Sequence, residues 1–134
     1  MRTAIDSSVL ILLCRRQEHW EHWRDLLQKA SNEGELLVSP VAFAEFSIAY
    51  PSLTSARADL ERLRISYSPI NPAAAYLAGQ IFLRYRREGG PRRHLIPDFL
   101  IAAHASVQAD RLATVDRGYL RVYFPALPLL TTTG

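Results

Sequence analysis

Thr3-Ala4-Ile5-Asp6-Ser7-Ser8-Val9-Leu10-Ile11-Leu12-Leu13-Cys14 is the stretch whose reading decides the fold. A short apolar run stops at a carboxylate, two hydroxyl residues follow, and a second apolar run ends at Arg15-Arg16. Residues 2–5 read as a buried strand, and Ser7 or Ser8 as the cap of a helix through Leu13. The pattern imitates a secretory leader, but Asp6 breaks the apolar stretch and no small-residue cleavage site follows. Cys14, the single cysteine, is expected to be a small core residue. One cysteine excludes an internal disulfide and suits a reducing, cytoplasmic location.

Outward from that stretch, strands and helices alternate. Trp20, Trp23, Leu26, Leu27 and Ala30 recur at helical spacing as far as Gly34, and their apolar face suits either the core or a docking partner. Glu35-Leu36-Leu37-Val38 reads as a strand. Ser39-Pro40 opens a helix that Pro51 ends, with a capping hydroxyl followed by proline at the first position. A helix over Ser55–Arg64, a short strand Ile65-Ser66-Tyr67 and a long helix from Pro72 to Arg87 follow. Glu88-Gly89-Gly90-Pro91 stops the long helix, and Pro97 starts another that runs to Ala109. Leu112–Val115 is a strand ending in a turn at Asp116-Arg117-Gly118, and Leu127, Leu129 and Leu130 mark a last strand. This alternation predicts an α/β fold, a three-layer α/β/α sandwich around a short, mainly parallel sheet.

With 134 residues the chain suits a single domain, 1–134, burying roughly two-thirds of its unfolded surface. Hydrophobic residues make up 49% and charged residues 22%, the composition of a globular protein. No segment approaches the ~20 apolar residues of a membrane span. The net charge is only +3, but 15 of the 16 basic residues are Arg and only Lys29 is Lys. Arginine's planar donor fork suits phosphate, so nucleic acid is a candidate partner beside a purely compositional bias.

Among the 13 acidic residues, four stand against apolar segments. Asp6 ends the first strand, Glu45 interrupts Val41-Ala42-Phe43-Ala44, Asp98 leads into Phe99-Leu100-Ile101-Ala102-Ala103, and Asp116 closes Leu112–Val115. A carboxylate held against apolar surface loses hydration, and several gathered together repel. A divalent cation on oxygen ligands resolves both costs. In an open parallel sheet, ligands bind beyond the carboxyl ends of the strands, where Asp6 and Asp116 are predicted to lie. Glu45 shares a helical stripe with Val41 and Ile48 and is expected to point at the sheet, with only Ser47 as a neighbouring polar group. Asp98, in the first turn of its helix, lines up with Ile101, Ala102 and Ala105. Singly, each acid has an ordinary use: Asp6 and Asp116 as turn residues, Asp98 as a helix N-terminal charge worth ~0.3–1 kcal/mol. Together they point to a metal site.

These residues resemble the PIN-domain ribonucleases, in particular the VapC-type toxins of bacterial toxin–antitoxin pairs. Asp6-Ser7-Ser8-Val9 is similar to the family's opening motif. Ser39-Pro40-Val41 leading to Glu45 is similar to the second, and Pro97-Asp98-Phe99-Leu100-Ile101-Ala102-Ala103-His104-Ala105 to the third. Leu112–Tyr119 with Tyr123-Phe124-Pro125 resembles the fourth. The resemblance implies that Asp6, Glu45, Asp98 and Asp116 hold Mg²⁺ or Mn²⁺ and carry catalysis, with Ser8 and Thr114 orienting them. It further implies an RNA substrate, a cognate antitoxin that covers the cleft, and a homodimer. One departure stands out: Gly118 occupies a position where some members carry a further acidic or amide group, which puts a tightly held second metal in doubt.

The chemistry agrees with the residues. Phosphodiester cleavage needs an activated water, in-line approach and charge neutralisation, which a divalent ion in a carboxylate cage supplies. Oxygen ligands suit Mg²⁺ or Mn²⁺ better than zinc. His19 and His22 have no cysteine partner and read as surface residues, and His104 as structural. Arg84, Arg86, Arg87, Arg92, Arg93 and His94 precede Asp98, so Arg92 and Arg93, with Arg117, are the expected RNA contacts. Tyr85, Tyr119 and Tyr123 suit base stacking or the core. A phospho-receiver domain needs a lysine at its pocket, and Lys29 lies far along its helix. A haloacid-dehalogenase-type phosphatase needs aspartate where Ser8 stands. The serious alternative is a non-catalytic module that keeps the acids as a metal-stabilised scaffold for RNA or protein binding.

Overall fold

The computed structural model describes residues 1–90, 95–115 and 118–132. Five strands form one sheet, β1 (Thr3–Ile5), β2 (Leu36–Val38), β3 (Ile65–Tyr67), β4 (Arg111–Ala113) and β5 (Leu129–Leu130). Their order is β3-β2-β1-β4-β5, and every pairing is parallel. Seven helices connect them among the described residues: α1 (Ser7–Cys14), α2 (Trp20–Glu33), α3 (Pro40–Ser47), α4 (Leu53–Arg62), α5 (Pro72–Arg87), α6 (Ile96–Gln108) and α7 (Gly118–Tyr123). The α/β/α sandwich read from the sequence is the architecture found. None of the helices among the described residues is long and apolar enough to cross a membrane.

A parallel sheet must be buried on both faces, so its strands are continuously apolar. Ala4, Ile5, Leu36, Leu37, Val38, Leu112 and Ala113 are all at most 2% exposed, which is why three-residue strands suffice. Thr3 is buried too, and its hydroxyl accepts from Arg111 Nε at 2.8 Å. Trp23, Leu27 and Ala30 are buried, so the α2 face belongs to the core and is not a docking surface. Tyr85 is likewise core, packed among Phe82, Phe99 and Tyr123.

Local signals set the helix ends. Ser39 Oγ accepts from Ala42 N at 3.2 Å and Asn71 Oδ1 from Ala74 N at 2.8 Å, each with proline at the following position. At the end of α5, Gly89 adopts φ +76°, a left-handed conformation that costs glycine nothing. Its N–H donates to Arg86 O at 3.1 Å while Gly90 N donates to Tyr85 O at 2.9 Å, the pair of bonds that defines a Schellman cap. Gly34 serves a different purpose: a Cβ there would lie 1.9 Å from Met1 O, so only glycine lets the chain start run beside β2.

Several expectations need correction. Cys14 is exposed, because it is the last residue of α1 and falls off the buried stripe of Val9, Leu10 and Leu13. The buried face of α3 is Ala42 and Phe46; Ile48 is 82% exposed, and Glu45 flanks the core stripe without lying on it. The helix expected from Ser55 begins at Leu53, capped by Ser52. A short helix, α7, follows where only a turn was read, because the Tyr119–Leu120 segment packs its apolar side chains on the core. His104 is buried as expected of a structural residue, with Nε2 3.0 Å from Ser68 Oγ.

Candidate active site

The strand order reverses at β1, which has β2 on one side and β4 on the other, so the switch point lies between β1 and β4. Pairing there runs to Ile5↔Ala113, and the next residues along, Asp6 and Thr114, leave the sheet side by side. Asp6 N donates to Ala113 O at 2.9 Å, which extends the ladder by one bond. Asp6 then caps α1: its carbonyl accepts from Val9 N and Leu10 N at 3.1 and 3.3 Å. Its carboxylate makes no cap bond to the helix.

Neighbouring hydroxyls hold that carboxylate in place. Oδ2 accepts from Ser8 Oγ and Thr114 Oγ1, both at 2.8 Å, and Oδ1 faces Ser7 Oγ at 3.5 Å. Ser7 Oγ also donates to Glu45 Oε1 at 2.9 Å, so one hydroxyl links two acids from different elements. Sequence reasoning cast Ser7 as a helix cap and Ser47 as the nearest help for Glu45. Instead Ser47 Oγ bonds its own helix at Ala44 O, and Ser7 meets Glu45 across the fold. The two hydroxyls after Asp6 were the legible signal; the distant partner was not. Val115 N donates to Ser8 Oγ at 3.4 Å, tying the end of β4 to the same corner.

Asp98 sits at the third position of α6, where Oδ2 accepts from Leu95 N at 3.0 Å. This is half of a capping box, since Leu95 has no side-chain acceptor to complete it. Tyr119 OH donates to Asp98 O at 3.3 Å and anchors that turn.

Three of the acids feel one another's charge. Burial pushes the Asp6 carboxyl above its ordinary range, the Ser8 and Thr114 hydroxyls pull it back, and Asp98 repels it further upward. Burial likewise raises Glu45, offset by the Ser7 hydroxyl and reinforced by Asp6 and Asp98. Among the described residues no cation pairs with Asp6 or Glu45. Nor is any group of three His, Cys, Asp or Glu among those residues gathered tightly enough to hold a metal ion. Asp116 and Arg117 lie outside the described residues, as do Arg92 and Arg93. The structure therefore sets Ser8 and Thr114 on the Asp6 carboxylate and Ser7 between Asp6 and Glu45, with Asp98 near enough to repel both carboxyls.

The comparisons give the class of protein to which this parallel sheet, with acids at its switch point, belongs. The PIN domain model matches residues 3–125, and the chain belongs to that family. It is 32% identical over 132 residues to Ribonuclease VapC10 of Mycobacterium tuberculosis, covering 97% of this chain and 94% of that protein. Two solved structures share the fold. VapBC2 from Rickettsia felis, bound to a DNA fragment from its promoter, matches with TM-score 0.75 at 16% identity over 98% of each chain. VapBC-1 from nontypeable Haemophilus influenzae matches with TM-score 0.73 at 19% identity over the whole of each.

Proposed function

We propose that this chain is a metal-dependent endoribonuclease, the toxin of a cytoplasmic toxin–antitoxin pair, which hydrolyses RNA phosphodiester bonds. The observation that carries the reading is the Asp6 carboxylate. It is half-buried at the switch point, raised by that burial and by Asp98, and held by two hydroxyls, and no cation among the described residues pairs with it. A carboxylate fixed this firmly, with no neutralising partner among the described residues, is a ligand prepared for a cation. The full-length likeness to a named ribonuclease supplies the substrate class.

Asp6, Glu45, Asp98 and Asp116 would hold Mg²⁺ or Mn²⁺. When bound, such an ion supplies charge neutralisation on the scissile phosphate and a nucleophile at neutral pH. The chain's own residues do the rest. Ser8 and Thr114 fix Asp6 Oδ2 in one orientation, which spares reorganisation during the reaction. Ser7 keeps Glu45 turned toward Asp6. Arg92, Arg93 and Arg117 are proposed to draw the RNA backbone toward a corner that otherwise repels it. An antitoxin partner is supported by the likeness to structures named as VapBC. Assembly as a homodimer is proposed from family resemblance.

The test is direct. Purified chain incubated with total cellular RNA should generate new ends with Mn²⁺ and none with EDTA, and Asp6→Asn should yield none in either. Intact RNA under all conditions, or equal cleavage by the variant, overturns the reading in favour of a non-catalytic module.

A further inference from the structure

One cavity adjoins the acid corner and has no part in holding it. It is a half-open hollow of about 220 Å³ between α1 and the end of α3, with Ile11, Phe46, Ala49 and Tyr50 as its apolar walls and with Cys14, Arg15 and Glu45 also on its lining. Glu45 belongs to both places, since Ser7 ties the same side chain to Asp6. The cavity is smaller than the roughly 300–1,000 Å³ that enclose a whole drug-sized ligand, and suits one ring system. Tyr50 is the half-buried ring on that wall: it packs on the buried Phe46 with centroids 4.9 Å apart at 51°, and its hydroxyl is tethered to Asp59. Arg15 is exposed, and its guanidinium forms no ion pair among the described residues.

We infer that this cavity is a nucleotide subsite, taking the base next to the scissile phosphate while Arg15 binds the adjoining backbone phosphate. The inference rests on the ribonuclease reading and names how that site grips its strand. A flat ring laid against Tyr50, with a phosphate on a guanidinium that has no ion pair among the described residues, matches the chemistry of unstacked single-stranded RNA. An RNA strand carries a phosphate at a fixed distance from every base, so one nucleotide can occupy the walls and Arg15 together, which a single apolar side chain cannot. The position is also right for positioning: a strand anchored beside Glu45 brings its neighbouring phosphate to the acids, and Arg15 offsets their repulsion. The sequence showed Arg15 only as the end of an apolar run.

Binding of a fluorescent 2′-O-methyl decanucleotide in EDTA, read by anisotropy, tests the subsite without any cleavage. Arg15→Ala, which removes the phosphate contact, and Ala49→Trp, which fills the slot from its exposed side, should each weaken binding roughly tenfold, the scale of one lost stacked base or phosphate contact. Arg15→Lys should restore part of the loss. Sequencing the ends cut from a random RNA pool with Mn²⁺ should show Ala49→Trp shifting the base composition beside the cut. Circular dichroism melting checks that each variant is folded, and Arg15→Ala decides alone if Ala49→Trp is not. Wild-type affinity with unchanged cut-site composition overturns the subsite and leaves the cavity to a protein side chain. Wild-type protein that binds the oligonucleotide but cuts no RNA counts against the ribonuclease reading, and the anisotropy comparison still decides the subsite.

Discussion

Replacing Asp6 with Asn leaves an oxygen to accept from Ser8 and Thr114 but removes the charge that burial and Asp98 oppose. If that carboxylate is a metal ligand, the substitution separates metal binding from folding. At a free Mn²⁺ concentration one hundred times the dissociation constant, binding to the native state alone adds about 2.7 kcal/mol of stability. Unfolding entropy of ~2.1 cal/mol/K per residue over 134 residues amounts to ~0.28 kcal/mol/K, so the wild-type midpoint should rise by about 10 °C. Loss of a charged ligand should weaken binding at least as much as the ~100-fold upper range for outer-shell changes. At the same Mn²⁺ concentration the variant then gains only ~0.4 kcal/mol, or about 1.5 °C. In EDTA the variant should be at least as stable as wild type, because no buried charge remains to be desolvated. Differential scanning calorimetry at constant ionic strength, with the exposed Asp25→Asn as control, measures all of this. An equal Mn²⁺ shift in wild type and variant, or none in wild type, refutes the reasoning.

Thr114→Val keeps the buried shape but deletes one of two donors to Asp6 Oδ2, and should cost ~1.5–3 kcal/mol in urea titrations with a fall in RNA cleavage. Ser39→Ala removes the α3 cap and should cost about 1 kcal/mol without changing the spectrum of RNA products. Burial, with repulsion from Arg2, holds His104 below its ordinary 6.5 while Ser68 partly offsets it. Below pH 6.5 the unfolded chain therefore binds more protons than the folded one, so stability falls as pH drops through the depressed folded value. His104→Gln, which can keep a nitrogen facing Ser68, should flatten that slope in urea midpoints between about pH 7.5 and 4.5, and an unchanged slope would place the titration elsewhere.

Periodicity, caps and turn residues are local properties, and they were legible wherever local energetics decides the outcome. The strand at Thr3–Ile5, the cap at Ser39, the helix start at Pro72 and the Gly89-Gly90 stop all act within a few residues of chain. The acids were legible too, because a carboxylate beside apolar neighbours is anomalous in one dimension as it is in three. What failed depended on which face of a helix meets which neighbour. Cys14 and Ile48 are apolar residues that end outside, and α7 forms because Tyr119 and Leu120 find a core surface. The Ser7–Glu45 bond and the Arg15 cavity join α1 to α3, elements 38 residues apart at the bond, through contacts that no spacing rule encodes. The chain alone therefore determined the fold class and singled out Asp6, Glu45 and Asp98, which the fold places within reach of one another's charge. Tertiary packing decided which hydroxyls hold them, because only burial removes water as the competing partner.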